Sequence, residues 1–469
     1  VNSTTAKDYG QFMLYSRALA GVAGILLLAG CSLDIGSTVG LSSSSSGTEG
    51  ALVVGDEPFA VSTGAAILGQ GGNAVDAATA MYFALSVTYP VAAGLGGGGI
   101  CIVHDPAKNT TQEFDFEARD ADKPGAYAVP GNVRGFGVMQ ASYGALPWQK
   151  VVSPAEVLAR TGVPISRAMA TRLSDAGDVI RLDAGLAALY LDESGKPKTT
   201  GTVVFNSDLA DTLAAIRVNG PEAFYSGAVA AKIAAYAGSE GGTISKADLA
   251  ATKAVQVTPR VTQIGSDYVF LPSNKVGAGA FAGVLFDNLA KAQSTSVGAK
   301  DLQAAVVWAM QQSLKDYHVA ELPKDLGATG FAAMDARGQA VACAVTMNGP
   351  FGSGHTARGT GVTLAKAPTA SAAGLASAFL TPIIAARQAD SPAELAGAGA
   401  GGPNGSAAIA YALARIANGD EVLTRKDLRT TGVAPYDTVN AIACSGRTCA
   451  ALPDPAANGL GALVPVKEK

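Results

Sequence analysis

The sequence predicts an α+β domain built in layers, and three observations lead to it. Residues 331–335 read as a short apolar strand, Ala336-Arg337-Gly338-Gln339 as a turn, and 340–347 as a second strand whose apolar character alternates and then becomes continuous. That is a β-hairpin. Small-residue helical stretches at 60–69 and from Asn73 to about residue 87 lead into a strand at 100–104, so helix and sheet alternate along the chain. Finally, 57 glycines and an aromatic fraction of 6% indicate a core of Ala, Val and Leu with many close backbone approaches. A length of 469 residues suits either two or three domain equivalents or one layered domain.

Residues 1–30 read as an address. Lys7 and Arg17 supply a positive start, 18–30 is a short apolar run, and Leu28-Ala29-Gly30-Cys31 resembles a bacterial lipobox. The run is too short to remain as a spanning helix. Cleavage before Cys31 and lipid attachment to its sulfur are therefore expected. Ser32 favours sorting to the outer membrane, which places the protein on the periplasmic face of the cell envelope. The competing reading is a buried apolar helix with an incidental cysteine. Residues 31–50, with five serines at 42–46, have no apolar period and read as a flexible tether.

A net charge of −4 and a pI near 5.5 provide no basic patch for nucleic acid, which leaves small-molecule chemistry. Three histidines, none paired at ligand spacing, argue against a metal site. His104 and His318 read as structural or surface residues, and His355 lies in a glycine loop of greater interest. Cysteine usage suits an exported protein. Cys444 and Cys449 flank a turn-like tetrapeptide and are expected to form a local disulfide, whereas Cys101 and Cys343 sit in apolar strand patterns and read as buried small hydrophobes.

The next elements follow in order. Gly71-Gly72-Asn73-Ala74-Val75-Asp76-Ala77-Ala78 opens the second helix, and four glycines at 96–99 precede the strand at 100–104. The glycine run lacks a Gly-Lys-Ser/Thr ending and follows a helix, so it is not a phosphate loop; its value is the absence of side chains. Residues 114–117 alternate aromatic and acidic side chains before Ala118, Arg119 and Asp120. Ser153 and Pro154 look like a helix start in the helix-rich stretch 153–191, with further helices at 207–217 and 228–237. The apolar residues Val269-Phe270-Leu271 precede Pro272-Ser273-Asn274-Lys275. Beyond the hairpin come a loop of glycines and small residues at 348–361 and Gly399-Ala400-Gly401-Gly402-Pro403-Asn404-Gly405-Ser406, which opens a helix at 407–417.

These motifs resemble the γ-glutamyltranspeptidase family, a branch of the N-terminal-nucleophile hydrolases, over nearly everything after residue 50. The resemblance implies a four-layer αββα sandwich. It also implies a precursor that cuts itself before a threonine, leaving a large segment, 51–328, and a small one, 329–469, that stay intertwined and associated. The new N-terminal threonine would act as nucleophile and its own α-amine as base, because a free amine titrates near neutrality and needs no histidine partner.

At the decisive position this sequence departs from the pattern. The family carries a Thr-Thr pair with the first as nucleophile; here Ala328 stands first and Thr329 second. Three readings follow: Thr329 is the nucleophile with cleavage moved by one residue, Ala328 is an engineered trap of the precursor, or activity has been lost. The shift carries a geometric cost, since neighbouring strand residues face opposite ways.

By the same resemblance Arg119 grips the substrate α-carboxylate, a task suited to a bidentate guanidinium. The competing reading is a surface pair with Asp120 or Asp122. Thr346 and Asn348 match residues near the nucleophile, and Asn404 and Gly405 the backbone oxyanion hole. Ala365, Lys366, Ala367 and Ala370 stand where the family holds the donor amine, and Ala378 and Phe379 replace paired serines. The expected activity is acyl transfer from γ-glutamyl or related acidic amides without a cofactor. The alternative is a catalytically silent, ligand-binding surface lipoprotein.

Overall fold

The chain was analysed as a computed structural model that describes residues 40–42, 45–47, 50–294, 301–319, 321–369, 373–417, 423–428, 435–446 and 448–465. Cys31, the export signal, most of the tether and Ala370 lie outside the described residues.

The strand that carries Thr329 explains the layering. Strand β1 (Gly50–Gly55), helices α1 (Pro58–Gly69) and α2 (Ala74–Thr88), and strands β2 (Gly98–Asp105) and β3 (Thr110–Phe116) come first. Strands β4 (Ala328–Met334) and β5 (Ala340–Thr346) form the predicted hairpin, paired from Ala328↔Thr346 to Met334↔Ala340. The hairpin sits inside an antiparallel sheet in the order β1, β4, β5, β2, β3, extended outward by Leu460–Pro465 and Gly40–Ser42 on one side and Val255–Val257 on the other. A second antiparallel sheet is centred on β6 (Thr381–Ala386), β7 (Ala393–Ala400) and β8 (Thr438–Ser445).

Successive residues of β4 point to opposite faces. Phe331 and Ala333 join the cluster made with α1 and α2, including Val61 and Ala78. Ala332 and Met334 instead meet Ile384, Ala396 and Ile442 of the second sheet. On that sheet's far face, Ile383, Leu395 and Val439 pack against Leu285, Val306 and Ile409, which lie on helices Ala280–Gln293, Leu302–Asp316 and Pro403–Ala417. The result is helix, sheet, sheet, helix. Each layer buries the apolar stripe of its neighbour, and a fully buried Phe or Leu contributes about 1.5–3 kcal/mol.

Small residues let the sheets approach. A Cβ on Gly330 would lie 2.9 Å from both Cβ and O of Ala398 across the gap. The run at 96–99 is similar: a Cβ on Gly99 would stand 2.5 Å from the Ala344 carbonyl, and one on Gly98 would fall on the backbone of Ala118. The motif at 71–78 has a plain structural cause. Asn73 and Asp76 form a reciprocal capping box on α2, and Asp76 also accepts from the backbone of Ala145 and Leu146 at 3.0 Å each.

Two expectations are corrected here. The helix expected to start at Ser153–Pro154 starts at Trp148 and runs to Thr161 with Pro154 inside it. Tertiary contacts outweigh the start signal: Val151 and Val152 are fully buried, and the Trp148 ring meets Phe83 edge-on while its Nε1 donates to the Ile216 carbonyl at 2.9 Å. Cys101 and Cys343, expected as free hydrophobes, are disulfide-bonded, because β2 and β5 pair in a register that sets them directly opposite each other. Cys444 and Cys449 are also bonded to one another.

Candidate active site

The head of β4 is the centre of the site. β1 ends at Gly55, the register partner of Phe331, so the next residue, Asp56, arrives beside the start of β4. Thr329 Oγ1 donates to Asp56 Oδ2 at 2.6 Å. From the opposite sheet, Asn440 Nδ2 on β8 donates to Asp56 Oδ1 at 2.8 Å and to the Gly330 carbonyl at 2.9 Å. All three side chains are buried, and burial raises the Asp56 carboxyl above its ordinary range against the lowering effect of the Thr329 and Asn440 bonds.

Strand alternation separates the two candidate positions. Ala328 lies between the sheets among Ile100, Ala344, Ala398 and Ala400, whereas Thr329 shares the face of Phe331 and Ala333. The position matching the family nucleophile therefore holds a methyl group, and the neighbouring hydroxyl is bonded to Asp56.

The segment before Thr329 is held by a buried arginine. Arg172, on helix Arg167–Asp175, donates Nη1 to the Ala328 carbonyl at 3.0 Å. Its Nε and Nη2 clasp the two oxygens of Asp325, and its guanidinium lies between the rings of Tyr89 and Tyr436 at 5.4 and 5.2 Å. Burial works against the charge, but Asp325 and Tyr89 together outweigh it and hold the group above its ordinary range, so it stays protonated. Asp325 Oδ1 also accepts from the Gly327 N–H at 2.7 Å.

Thr346 reaches the same segment from β5, its hydroxyl 3.0 Å from the Gly327 carbonyl and 3.3 Å from that of Leu326. A hydrogen-bonded path runs outward from there. Asn348 N–H donates to Thr346 Oγ1 at 2.9 Å, and Ser377 Oγ donates to Asn348 Oδ1 at 3.2 Å. Asn348 adopts a left-handed φ of 58°, which asparagine tolerates, and its Nδ2 caps the Lys366 carbonyl at 3.0 Å.

The path leads toward a cavity of about 400 Å³ lined by Glu117, Arg119, Asp120, Tyr317 and Leu375, among others. Arg119 pairs with Asp115 at 2.9 Å, not with Asp120 or Asp122. The same Asp115 oxygen receives Asn274 Nδ2 at 3.2 Å, so the altered Pro272–Lys275 loop is tied to the arginine site. Burial, followed by the nearby Asp115 charge, raises the Glu117 carboxyl.

A second cavity, of about 180 Å³, is lined by Leu322, Pro323, Lys324 and Leu326 and by the glycine loop Gly401, Gly402, Pro403 and Asn404. The loop thus faces the chain just upstream of Ala328. Here the Asn404 N–H, an expected oxyanion donor, donates to Asp437 Oδ2 at 2.9 Å. Gly405 is buried in the first turn of the following helix, its carbonyl against Gly399.

His104 is sandwiched between Thr111 Oγ1 and the Ser391 carbonyl, and His355 meets Tyr236 and Tyr127. Among the described residues no cluster of His, Cys, Asp or Glu has a metal-binding arrangement.

Sequence reasoning missed Asp56, Arg172, Asp325 and Asn440. Asp56 carries the one available signal, a carboxylate between an apolar strand and a proline-opened helix; Arg172 reads as an ordinary polar residue of an amphipathic helix.

A sandwich of two antiparallel sheets between helices is the fold of the N-terminal-nucleophile hydrolases. The crystal structure of cephalosporin acylase from Bacillus halodurans shares the fold: TM-score 0.70 at 18% identity, over 92% of this chain and 97% of that one. Sequence comparison adds a likeness to one family. Residues 60–286 match the gamma-glutamyltranspeptidase family model. The glutathione hydrolase proenzyme of Escherichia coli strain K12 is 38% identical over 239 residues, 46% of this chain and 40% of that protein. The acylase ACY 1 proenzyme of Pseudomonas sp. strain SE83 is 36% identical over 232 residues, 44% and 41% of the two chains. The chain therefore spans less than half the length of these two relatives.

Proposed function

We propose that this chain is a self-processing amidohydrolase and acyltransferase that cleaves γ-glutamyl or related acidic amides through Thr329 as N-terminal nucleophile. The observation that carries the reading is the placement of Thr329: a buried hydroxyl at the head of a central strand, 2.6 Å from a carboxylate. Both relatives described above are proenzymes, one a glutathione hydrolase and one an acylase. Cleavage before Thr329 frees its α-amine, which takes the hydroxyl proton as the oxygen attacks the amide carbonyl. Backbone N–H groups of Asn404 and Gly405 receive the oxyanion once the loop releases Asp437, and water or an amine resolves the acyl-enzyme. Arg119 exchanges Asp115 for a substrate carboxylate in the larger cavity. Anchoring through lipid on Cys31 belongs to the same proposal, and the mass of the N-terminal peptide from envelope-purified protein tests it.

The functional test is turnover by processed protein of γ-glutamyl-p-nitroanilide, glutathione and a glutaryl amide. Release from at least one is expected, with loss in Thr329→Ala; no release from any of the three by fully processed protein contradicts the reading.

A second reading has specific support: Ala328 on the inter-sheet side and the Asn404 N–H held by Asp437 suit a silent ligand-binding lipoprotein. A chain that stays uncut for days yet binds glutamate or glutathione by calorimetry favours that reading.

A further inference from the structure

We infer that Asp56 and Arg172 are the catalytic pair for self-cleavage between Ala328 and Thr329, Asp56 as the base for the Thr329 hydroxyl and Arg172 as the cation that receives the oxyanion on Ala328. The inference rests on the reading of Thr329 as the N-terminal nucleophile and adds the groups that create it.

The geometry supplies each component before any bond changes. A threonine oxygen reaches the carbonyl carbon of the preceding residue through a five-membered ring, so the relevant carbonyl is that of Ala328. Its oxygen already accepts from Arg172 Nη1 at 3.0 Å. The Thr329 proton already points at Asp56 Oδ2, 2.6 Å away, while Asn440 occupies the other carboxylate oxygen and fixes its orientation. Arg172 is immobilised by Asp325, Tyr89 and Tyr436, so its charge meets a developing oxyanion without reorganisation. The neighbouring peptide bond, between Gly327 and Ala328, lacks this equipment because Ala328 has no nucleophilic atom.

The step balances within the chain. As the bond from Thr329 Oγ1 to the Ala328 carbonyl carbon forms, the hydroxyl proton passes to Asp56 and the carbonyl oxygen becomes an anion against Arg172. Collapse breaks the bond from carbon to the Thr329 nitrogen, and Asp56 returns the proton to that nitrogen. The product is an ester between Ala328 and the Thr329 side chain, with a free α-amine. Water hydrolyses the ester, leaving the Ala328 carboxylate opposite Arg172 and restoring the hydroxyl. Buried Asp56 has Asp454 and Tyr89 as titratable neighbours, and the Asp454 charge opposes its ionisation. Cleavage therefore quickens as pH rises through the elevated Asp56 range.

The test follows the full chain made by cell-free translation, with reducing gels, fragment masses and added hydroxylamine, which attacks an ester but not an amide. Wild type is expected to yield a fragment beginning at Thr329, faster at higher pH and faster again with hydroxylamine. Asp56→Asn and Arg172→Met are each expected to slow cleavage roughly 100-fold or more, with no hydroxylamine acceleration because no ester accumulates. Wild-type rates in either folded variant, with the fragment still beginning at Thr329, overturn the inference and leave the nucleophile reading standing. An uncut wild-type chain, or a fragment beginning at Ala328, overturns both. Should Asp56→Asn fail to fold, Asp56→Glu decides through its pH profile: a displaced profile is expected, and an unchanged one counts against Asp56 as the base.

Discussion

Glu113 shows how a single buried carboxylate adjusts this molecule. It sits on β3, accepts from the Ser273 N–H at 2.6 Å and the Ser273 hydroxyl at 3.1 Å, and is still pushed up to about 7 by burial. The Ser273 bonds lower it and the Asp115 charge raises it further, both by less than burial does. Its folded pKa lies above the ordinary 4.5, so the folded state binds its proton more tightly than the unfolded chain does. Stability from this group is complete below pH 4.5 and is lost as pH rises toward 7. Glu113→Gln is expected to match wild type in urea unfolding at pH 4. At pH 8 it should exceed wild type by roughly 1–3 kcal/mol; a variant less stable than wild type at pH 8 contradicts the assignment.

Strand pairing adds a covalent consequence. Cys101 lies on β2, upstream of the proposed cut, and Cys343 on β5, downstream of it. Their disulfide joins the two segments across a sequence separation of 242 residues, while the Cys444–Cys449 bridge lies wholly within the small segment. Processed protein is expected to run as one band on a denaturing gel without reductant and as two with it. Cys343→Ser should give two bands under both conditions. Two bands from unreduced wild type would show that this pairing does not form.

The architecture of the whole molecule makes separation of the segments costly even without the disulfide. In the first sheet β4 and β5 lie between β1 and β2, so strands of the small segment are flanked on both sides by strands of the large one. Pulling the segments apart would expose both ladders and the apolar faces of β4, including Phe331, which is fully buried. Processed, reduced protein is expected to elute as one particle and to melt in a single transition. Residues 329–469 expressed alone are expected to be insoluble or unfolded. A folded, soluble 329–469 fragment would mean that the sheet does not depend on its flanking strands.

Sequence alone determined the elements that depend on local chemistry. Alternation in 331–347 marked the hairpin, the run at 71–78 marked the opening of α2, and the glycines of 96–99 marked a place whose value is the absence of side chains. The same local reading put Ala328 and Thr329 at the head of one strand and recognised that they face opposite ways. Tertiary structure decided which groups meet them. Asp56 lies 273 positions from Thr329, Arg172 lies 156 from Ala328, and Asn440 lies 384 from Asp56. Nothing in their own sequence neighbourhoods marks these pairings, nor that of Cys101 with Cys343. Helix and turn signals act within a few residues along the chain, whereas a buried carboxylate finds its partners through sheet register and layer packing, which only the folded chain establishes.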